Sequence, residues 1–539
     1  MRDTLRYLFR LSSGFLWPLL PVLLLGMLEV SLSLASVALS KQVVDIATGA
    51  VPGVLWQTLC LLGGLILFGI LLRSLLSWRT VRLQILVQKR LVAYFFSHIL
   101  HADWRKIQHY HSGDLMSRVN TDINDLVQLF TSTIPQFVLT GFKLCGALTF
   151  MFFMNKELAL LLMCLLPVVL LLSKLYFRKM RVLSREIKET SSLVRQFFQE
   201  SVQNTGIVKA LRLESVFERQ LDGRQNTNIR KQIEQNHFSI FSNVVLSVGF
   251  SAGYLITFSW GLFELQAGVI TFGTLTAFLQ LVGMIQGPAL GLVTLAPSFV
   301  SVYTATERLM EIEQIEKENH TNEILISDLE SVDVRNVSFA YIPEKPVLEQ
   351  VDISFRKGTM TALIGETGCG KTTLIRLMLA FMKPDKGAIT LSNKEGTIPA
   401  SEKTRVNFAY VPQGDFLFSG TIRENLKIVR PKATDDELIR VLFQAAAGFV
   451  FDLPKRLDTP LQEGGHGLSG GQVQRLAIAR ALLCEGSVLL LDEVTSSLDE
   501  ATEAEIIDSL KLYVKDKIII LVTHKQNVIS ACDQIFPLD

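Results

Sequence analysis

Thr361-Ala-Leu-Ile-Gly365-Glu-Thr-Gly-Cys-Gly370-Lys371-Thr372-Thr373 is an apolar run that passes through a glycine-rich loop into an apolar helical pattern. Thr361 to Ile364 reads as a short buried strand, and a helix is expected from Thr373. Between them, Gly365, Glu366, Thr367, Gly368, Cys369 and Gly370 supply backbone N–H groups that wrap phosphates at a helix N-terminus. Lys371 neutralises phosphate charge, and the Thr372 hydroxyl suits magnesium. A nucleoside triphosphate with Mg2+ is therefore the expected ligand. Cys369 sits inside this loop, and its alkylation is expected to block nucleotide binding by bulk, a result checked by nucleotide binding before and after treatment.

Working outward, Val488-Leu-Leu-Leu-Asp492-Glu493 forms a second apolar strand that ends in two carboxylates. Asp492 stands where a magnesium-linked Asp belongs, and Glu493 is free to orient or deprotonate an attacking water. Ile518-Ile-Ile-Leu-Val-Thr523-His524 is a third buried strand, and its terminal imidazole can reach the same phosphate. Leu468-Ser469-Gly470-Gly471-Gln472 precedes an expected helix Val473 to Leu483. That makes a second anion-binding helix end, and two such ends in one chain suggest a composite site shared between subunits.

The N-terminal half differs in kind. The 539 residues carry 19% charged residues and a net charge of only +2, which gives no reason to invoke nucleic acid. Mean hydropathy is +0.34. Six cysteines are scattered singly and read as reduced thiols. From Arg10 to Lys41 the sole charge is Glu29, and Ile46 to Leu72 carries none, so both runs exceed the roughly 20 residues a membrane helix needs. Phe130 to Met154 holds one charge, Lys143. Leu158 to Ser173 holds none, and Asn155-Lys156-Glu157 is the turn between them. Phe238 to Thr306 holds Glu264 alone, with Gly268 and Gly273 flanking a turn, which completes six spans. The Arg2, Arg6 and Arg10 end superficially resembles a secretory leader, but the apolar run after it is too long.

Lys and Arg crowd Arg73 to Arg118 and Lys174 to Lys231, which places those stretches and both termini in the cytoplasm. They lack proline and keep helical spacing, so Leu55 to His101 is expected as one helix of roughly 70 Å that projects well beyond a 30 Å hydrocarbon core. The turns at His111 to Asp114 and Gln203 to Gly206 would join projecting helices through short transverse segments. Glu29 and Lys143 are read either as charges that stabilise the bundle or as polar contacts in a transport cavity. Pro18, Pro21, Pro135, Pro167, Pro288 and Pro297 are expected to loosen or kink spans.

With these residues in hand, the chain resembles the ATP-binding cassette (ABC) transporters, specifically the exporter-type half-transporters, over essentially its whole length. Leu468 to Gln472 looks like that family's signature motif, and Tyr410-Val-Pro-Gln413 through Asn425 resembles its Q-loop region. The resemblance implies an all-α six-helix transmembrane domain (1–310), a linker (311–330) and an α/β P-loop NTPase domain (331–539). It implies that Tyr341 stacks on adenine, that Gln413 joins magnesium and water to the membrane domain, and that Ser469, Gly470, Gly471 and Gln472 grip nucleotide held by a second subunit. Asp499 would cross that interface in the D-loop, and Glu463, preceded here by Gln462 where the family commonly has Gly, would face the intracellular loops. The segments near Gly113 and Gly206 match the coupling-helix regions. The chain ends soon after His524, where relatives continue through more strand and helix, so a less stable ATPase domain is the expectation.

The resulting expectation is an ATP-hydrolysing export machine of the plasma membrane, working by alternating access on an amphipathic small molecule, lipid or peptide. A homodimer is favoured because Lys371, Asp492, Glu493, His524 and the signature are all present; a heterodimer with a degenerate partner is the alternative. The rival functions are import of metal chelates on the same architecture and an ATP-gated channel or regulatory subunit.

Overall fold

The computed structural model describes residues 6–8, 10–11, 14–110, 112–318, 322–414, 417–465 and 467–538, without the side chains of 16, 112, 117, 158, 161–178, 181, 246, 250, 286–300 and 463. Arg2, Asp415, Phe416 and the side chains of Glu463, Pro167, Pro288 and Pro297 therefore lie outside the described residues. The chain forms two compact units, one of residues 1–97 and 111–314 and the other of residues 98–110 and 315–539.

The first unit is helical. α1 spans Leu16–Ala47 and α2 spans Leu55–His101, the latter unbroken for 47 residues as its proline-free sequence predicts. The next path comprises α3 (Ser112–Ser117), α4 (Ile123–Gln128) and α5 (Ile134–Met154), joined by π-helical turns at Arg118–Asp122 and Leu129–Thr133. The second widened turn ends just before Pro135, which has no N–H to donate to the carbonyl four residues back and whose ring crowds it. A wider turn relieves that conflict. α6 (Lys156–Gln203), the short α7 (Thr205–Ala210), α8 (Glu214–Gln266) and α9 (Phe272–Glu313) follow. α1, α2, α5 and its approach, and α8 are long and apolar enough to cross a membrane.

Two turns fall close to where the sequence puts them, with Lys156 and Glu157 already in α6, whereas Ser112 to Asp114 of the turn expected at His111 lie in α3. Asn155 is extended between α5 and α6, and Gly268 adopts φ +71° between α8 and α9. At the start of α9, Thr271 accepts from the Thr274 amide, and the buried Asp45 of α1 accepts from the Gly273 amide at 3.1 Å. A Cβ on Gly273 would stand 2.4 Å from both the Asp45 carboxylate and the Lys41 carbonyl. Gly273→Ala is therefore expected to lower stability by about 2 kcal/mol, because backbone on α1 must move, and thermal unfolding of the purified chain would show it.

Charges inside this unit are largely paired. Arg73 of α2 donates to Glu29 of α1 at 2.5 and 3.1 Å, so the partner of Glu29 is the neighbouring helix rather than Lys143. Arg118 donates to Asp114 at 2.9 Å, Glu311 at 2.8 Å and the Arg308 carbonyl at 2.7 Å, while Arg308 pairs with the fully buried Asp122. These bonds tie the π-turn to the end of α9.

In the second unit a two-sheet core follows a linker. β1 (Ser331–Ile342), β2 (Lys345–Arg356), β4 (Lys386–Asn393) and β5 (Gly396–Pro399) form an antiparallel sheet in the order β2-β1-β4-β5. β3 (Met360–Ile364), β6 (Phe408–Val411), β9 (Val488–Asp492), β10 (Ile518–Val522) and β11 (Gln534–Pro537) form a parallel sheet in the order β11-β3-β10-β9-β6; β7 (Gly420–Thr421) and β8 (Pro460–Leu461) make a small hairpin. β9 and β10 are buried at every position, which explains their unbroken aliphatic runs. One apolar cluster lies between the two sheets and the helix Lys371–Met378. A second gathers the helices Asp435–Gln444, Gly470–Leu482 and Glu500–Val514 on the other face of the parallel sheet. β11 adds a fifth strand beside β3, within the length on which reduced stability was expected.

The segment 98–110 belongs to this unit. Its short helix Trp104–Ile107 lies upstream of the expected turn at His111 to Asp114. The Asp103 amide donates to the Glu316 carbonyl and the Glu318 amide to the His101 carbonyl, at 2.8 and 2.7 Å. Trp104 stacks on Phe381 at 5.0 Å, and the Arg376 guanidinium lies over the Trp104 ring, 5.3 Å from its centroid. The linker is thus main-chain bonded to that segment rather than loose.

Candidate nucleotide site

In the parallel sheet, β3, β10, β9 and β6 are consecutive neighbours, and each delivers predicted residues from its C-terminal end: the glycine loop, His524, Asp492-Glu493 and Gln413. Ligands of open α/β sheets bind at that edge. The loop needs its glycines. Gly365, Gly368 and Gly370 adopt φ of +153°, +95° and +103°, and a Cβ on Gly365 would meet the Leu538 carbonyl at 2.3 Å. Lys371 opens its helix two residues earlier than the sequence suggests, with Thr372 and Thr373 inside it.

The Lys371 ammonium donates to the carbonyls of Gly365 and Glu366, both at 2.7 Å, and lies 3.7 Å from the Cys369 sulfur. Thr372 donates to Asp492 at 3.2 Å. Asp492 is buried, and desolvation holds its carboxyl above the ordinary range, against hydrogen bonds from Thr372 and Tyr410 that favour the charge. Burial, then the nearby Asp492 charge, also pushes the Tyr410 phenol up. Tyr410 entered the sequence reading only as part of the Q-loop stretch; its place at a strand end beside β9 is what marks it.

Glu493 adopts φ +50°, and its amide donates to the Val522 carbonyl at 3.1 Å. This left-handed backbone turns its carboxylate toward Gln413, whose amide donates to it at 2.6 Å, and places His524 Nδ1 4.0 Å from its other oxygen. The three side chains form one group. Thr373 is buried within 3.3 Å of the Tyr341 hydroxyl, to which Arg376 donates at 3.1 Å. Tyr341 itself packs edge-on against Phe339 and stays partly exposed.

The signature residues do other local work. Ser469 caps the helix Gly470–Leu482, accepting from the Gln472 amide while Gln472 accepts from the Ser469 amide. The serine hydroxyl hydrogen stays free to donate. A Cβ on Gly471 would meet the Ser497 carbonyl at 2.9 Å, and Gln474 donates to Ser496 and Ser497, so this helix end is packed on the loop before Asp499. Asp499 caps the helix Glu500–Val514, and hydrogen bonds from Thr502 hold its carboxyl low. The sequence reading missed Lys525, which donates to the carbonyls of Thr495 and Leu498 at 2.6 and 3.2 Å and pairs with the buried Glu503. It ties the strand end carrying His524 to the loop carrying Asp499.

The raised Asp492 sets a pH dependence. A carboxyl whose folded pKa is raised binds more protons folded than unfolded, so its effect on stability becomes unfavourable as pH climbs from the ordinary carboxylate range through the folded value. Asp492→Asn is accordingly expected to raise the stability of the nucleotide-free protein at neutral pH and to lose that advantage in acid, read as melting temperature against pH.

Residues 11–289 match the family described as ABC transporter transmembrane region and residues 348–496 the family described as ABC transporter. Among similar proteins is a provisionally named multidrug export ATP-binding/permease protein of Staphylococcus aureus (strain NCTC 8325 / PS 47), 29% identical over 470 residues that cover 86% of this chain and 81% of that one. The ATP-dependent lipid A-core flippase of Alcanivorax borkumensis is 28% identical over 453 residues, covering 82% and 77%. A bacterial Atm1-family ABC exporter solved with ATP bound has the same fold, with a TM-score of 0.83 at 21% identity over 97% of this chain and 93% of that one. The chain belongs to the ABC transporter family, with membrane and ATP-binding regions fused in one polypeptide.

Proposed function

We propose that two copies of this chain form an exporter of the plasma membrane that moves an amphipathic cargo outward by alternating access, both termini being cytoplasmic. The observation that carries the reading is the convergence of Lys371, Gln413, Asp492, Glu493 and His524 on one edge of the parallel sheet, in a chain whose other half is membrane-spanning helix. Lys371 and the loop amides bind the β- and γ-phosphates, Tyr341 stacks on adenine, and Glu493 takes a proton from, or orients, the attacking water with Gln413 and His524 placing it.

A buried carboxylate beside a threonine hydroxyl is a fitting donor pair for a hard divalent cation. Thr372, Asp492 and Gln413 would hold Mg2+, which supplies phosphate charge neutralisation when bound. Ser469, Gly470, Gly471, Gln472 and Asp499 face the nucleotide of the second copy, which makes hydrolysis a property of the dimer. All catalytic side chains are present in this one sequence, which supports a homodimer. ATP affinity that differs between cavity states supplies the driving force.

Uptake into inside-out vesicles tests the direction. ATP-dependent accumulation of an amphipathic dye in inside-out but not right-side-out vesicles is the expected result. The reverse would establish import, and ion current without cargo movement a channel.

A further inference from the structure

Lys143 lies on α5 eleven residues before Met154, the last residue of that helix, or about 16 Å along the axis. Met154 is followed by the polar turn Asn155-Lys156-Glu157. In a hydrocarbon core of about 30 Å this puts the ammonium near the middle, further from either surface than a four-carbon stem reaches. The other charges of the apolar spans are accounted for among the described side chains: Glu29 is held by Arg73, Asp45 by Lys41 and the Gly273 amide, and Glu264 stands in the last turn of α8. Lys143 is half-buried and makes no hydrogen bond or ion pair among the described residues. A cation at that depth costs several kcal/mol against lipid, so it calls for a counter-charge or a wet cavity.

A groove of about 550 Å³ between α1 and α5 lies beside Lys143: Gly146 and Phe150, three and seven residues on, belong to its lining, and Lys143 stands next to them at its edge rather than in its wall. Leu34, Ala35 and Ala38 of α1 form its other wall, and Phe142, Cys145, Thr149 and Phe153 the rest of the α5 side. Small residues on α1 leave the room and the phenylalanines provide the contact area. Resting on the reading of the chain as a cargo transporter, we propose that Lys143 binds the acidic head group of an anionic amphipathic cargo whose apolar part lies in this groove. The ammonium supplies the counter-charge and three donors suited to a phosphate or carboxylate.

The test uses the full chain in phosphatidylcholine nanodiscs with radiolabelled dodecyl phosphate, dodecyl maltoside and dodecyltrimethylammonium as probes, read as equilibrium binding without nucleotide and as stimulation of ATP turnover. Wild type is expected to bind dodecyl phosphate in preference to the cationic probe and to respond with faster turnover. Lys143→Gln should raise the half-saturating dodecyl phosphate concentration at least about tenfold, and Lys143→Arg should hold it within about threefold of wild type. Binding of dodecyl maltoside should not change. Equal dodecyl phosphate affinity in wild type and Lys143→Gln, at matched thermal stability, overturns the proposal, as does equal binding of the cationic probe. Repetition in phosphatidylglycerol nanodiscs separates cargo from resident lipid: competition by the bilayer lipid without any stimulation of turnover by dodecyl phosphate overturns the cargo assignment. Absence of basal turnover in wild type would strike the transporter reading, while the binding arm still decides the role of Lys143.

Discussion

Glu493→Gln is expected to lower ATP turnover of the full chain by about 10³-fold while leaving nucleotide affinity within a few-fold of wild type. The substitution is nearly isosteric, and an amide oxygen can still accept from Gln413, so the group of Gln413, His524 and residue 493 keeps its arrangement. What disappears is the carboxylate proposed to accept or orient the water proton. The backbone at φ +50° is no worse for glutamine than for glutamate, so stability should be unchanged. Phosphate release against equilibrium ATP binding separates the two effects. Turnover retained within tenfold would move the base to another residue, and His524 would be the first to examine.

Gly365→Ala is expected to abolish ATP binding and to destabilise the ATP-binding unit by about 3 kcal/mol or more. Two causes act together. The φ of +153° is one that an L side chain rarely adopts, and the added methyl would lie 2.3 Å from the Leu538 carbonyl and 2.6 Å from the Cys369 sulfur. The carbonyl cannot retreat, because the Leu538 amide donates to Ile364 at 2.8 Å and β11 runs in register with β3. The strain must then fall on the loop amides proposed to bind phosphate. Gly396→Ala is the control, since its Cβ position meets nothing within 4 Å. A melting curve and a nucleotide titration on both variants decide the matter; an unaffected Gly365→Ala would remove the close approach from consideration.

Much of this was legible from spacing. Apolar runs bounded by charge marked the membrane helices, because length alone is diagnostic in a bilayer, and the absence of proline foretold the continuous helix Leu55–His101. The strand-loop-helix pattern at Thr361 to Thr373 and the strands ending at Asp492 and His524 were legible too, since buried parallel strands are uniformly aliphatic, and they fall on one edge of one sheet. What stayed hidden depends on contacts between distant residues. That Arg73 answers Glu29, that Asp45 caps α9 and that Lys525 reaches two carbonyls near Asp499 are facts of packing with no local pattern behind them. The first π-turn was equally unreadable, for Arg118 to Asp122 shows ordinary helical spacing, and the bonds of Arg118 and Arg308 that hold it reach residues far along the chain.

The pairing of residues 98–110 with the linker has a bearing on synthesis. Trp104 and the Asp103 amide leave the ribosome more than two hundred residues before Glu316 and Phe381, their partners in the finished molecule. Until then the segment carries an uncovered indole and open main-chain groups. An excised fragment beginning at the linker would show the converse defect, with Phe381 lacking its stacked ring and Glu316 and Glu318 their backbone partners. The ATP-binding half is thus a finished globule only when the polypeptide made first is there to close it.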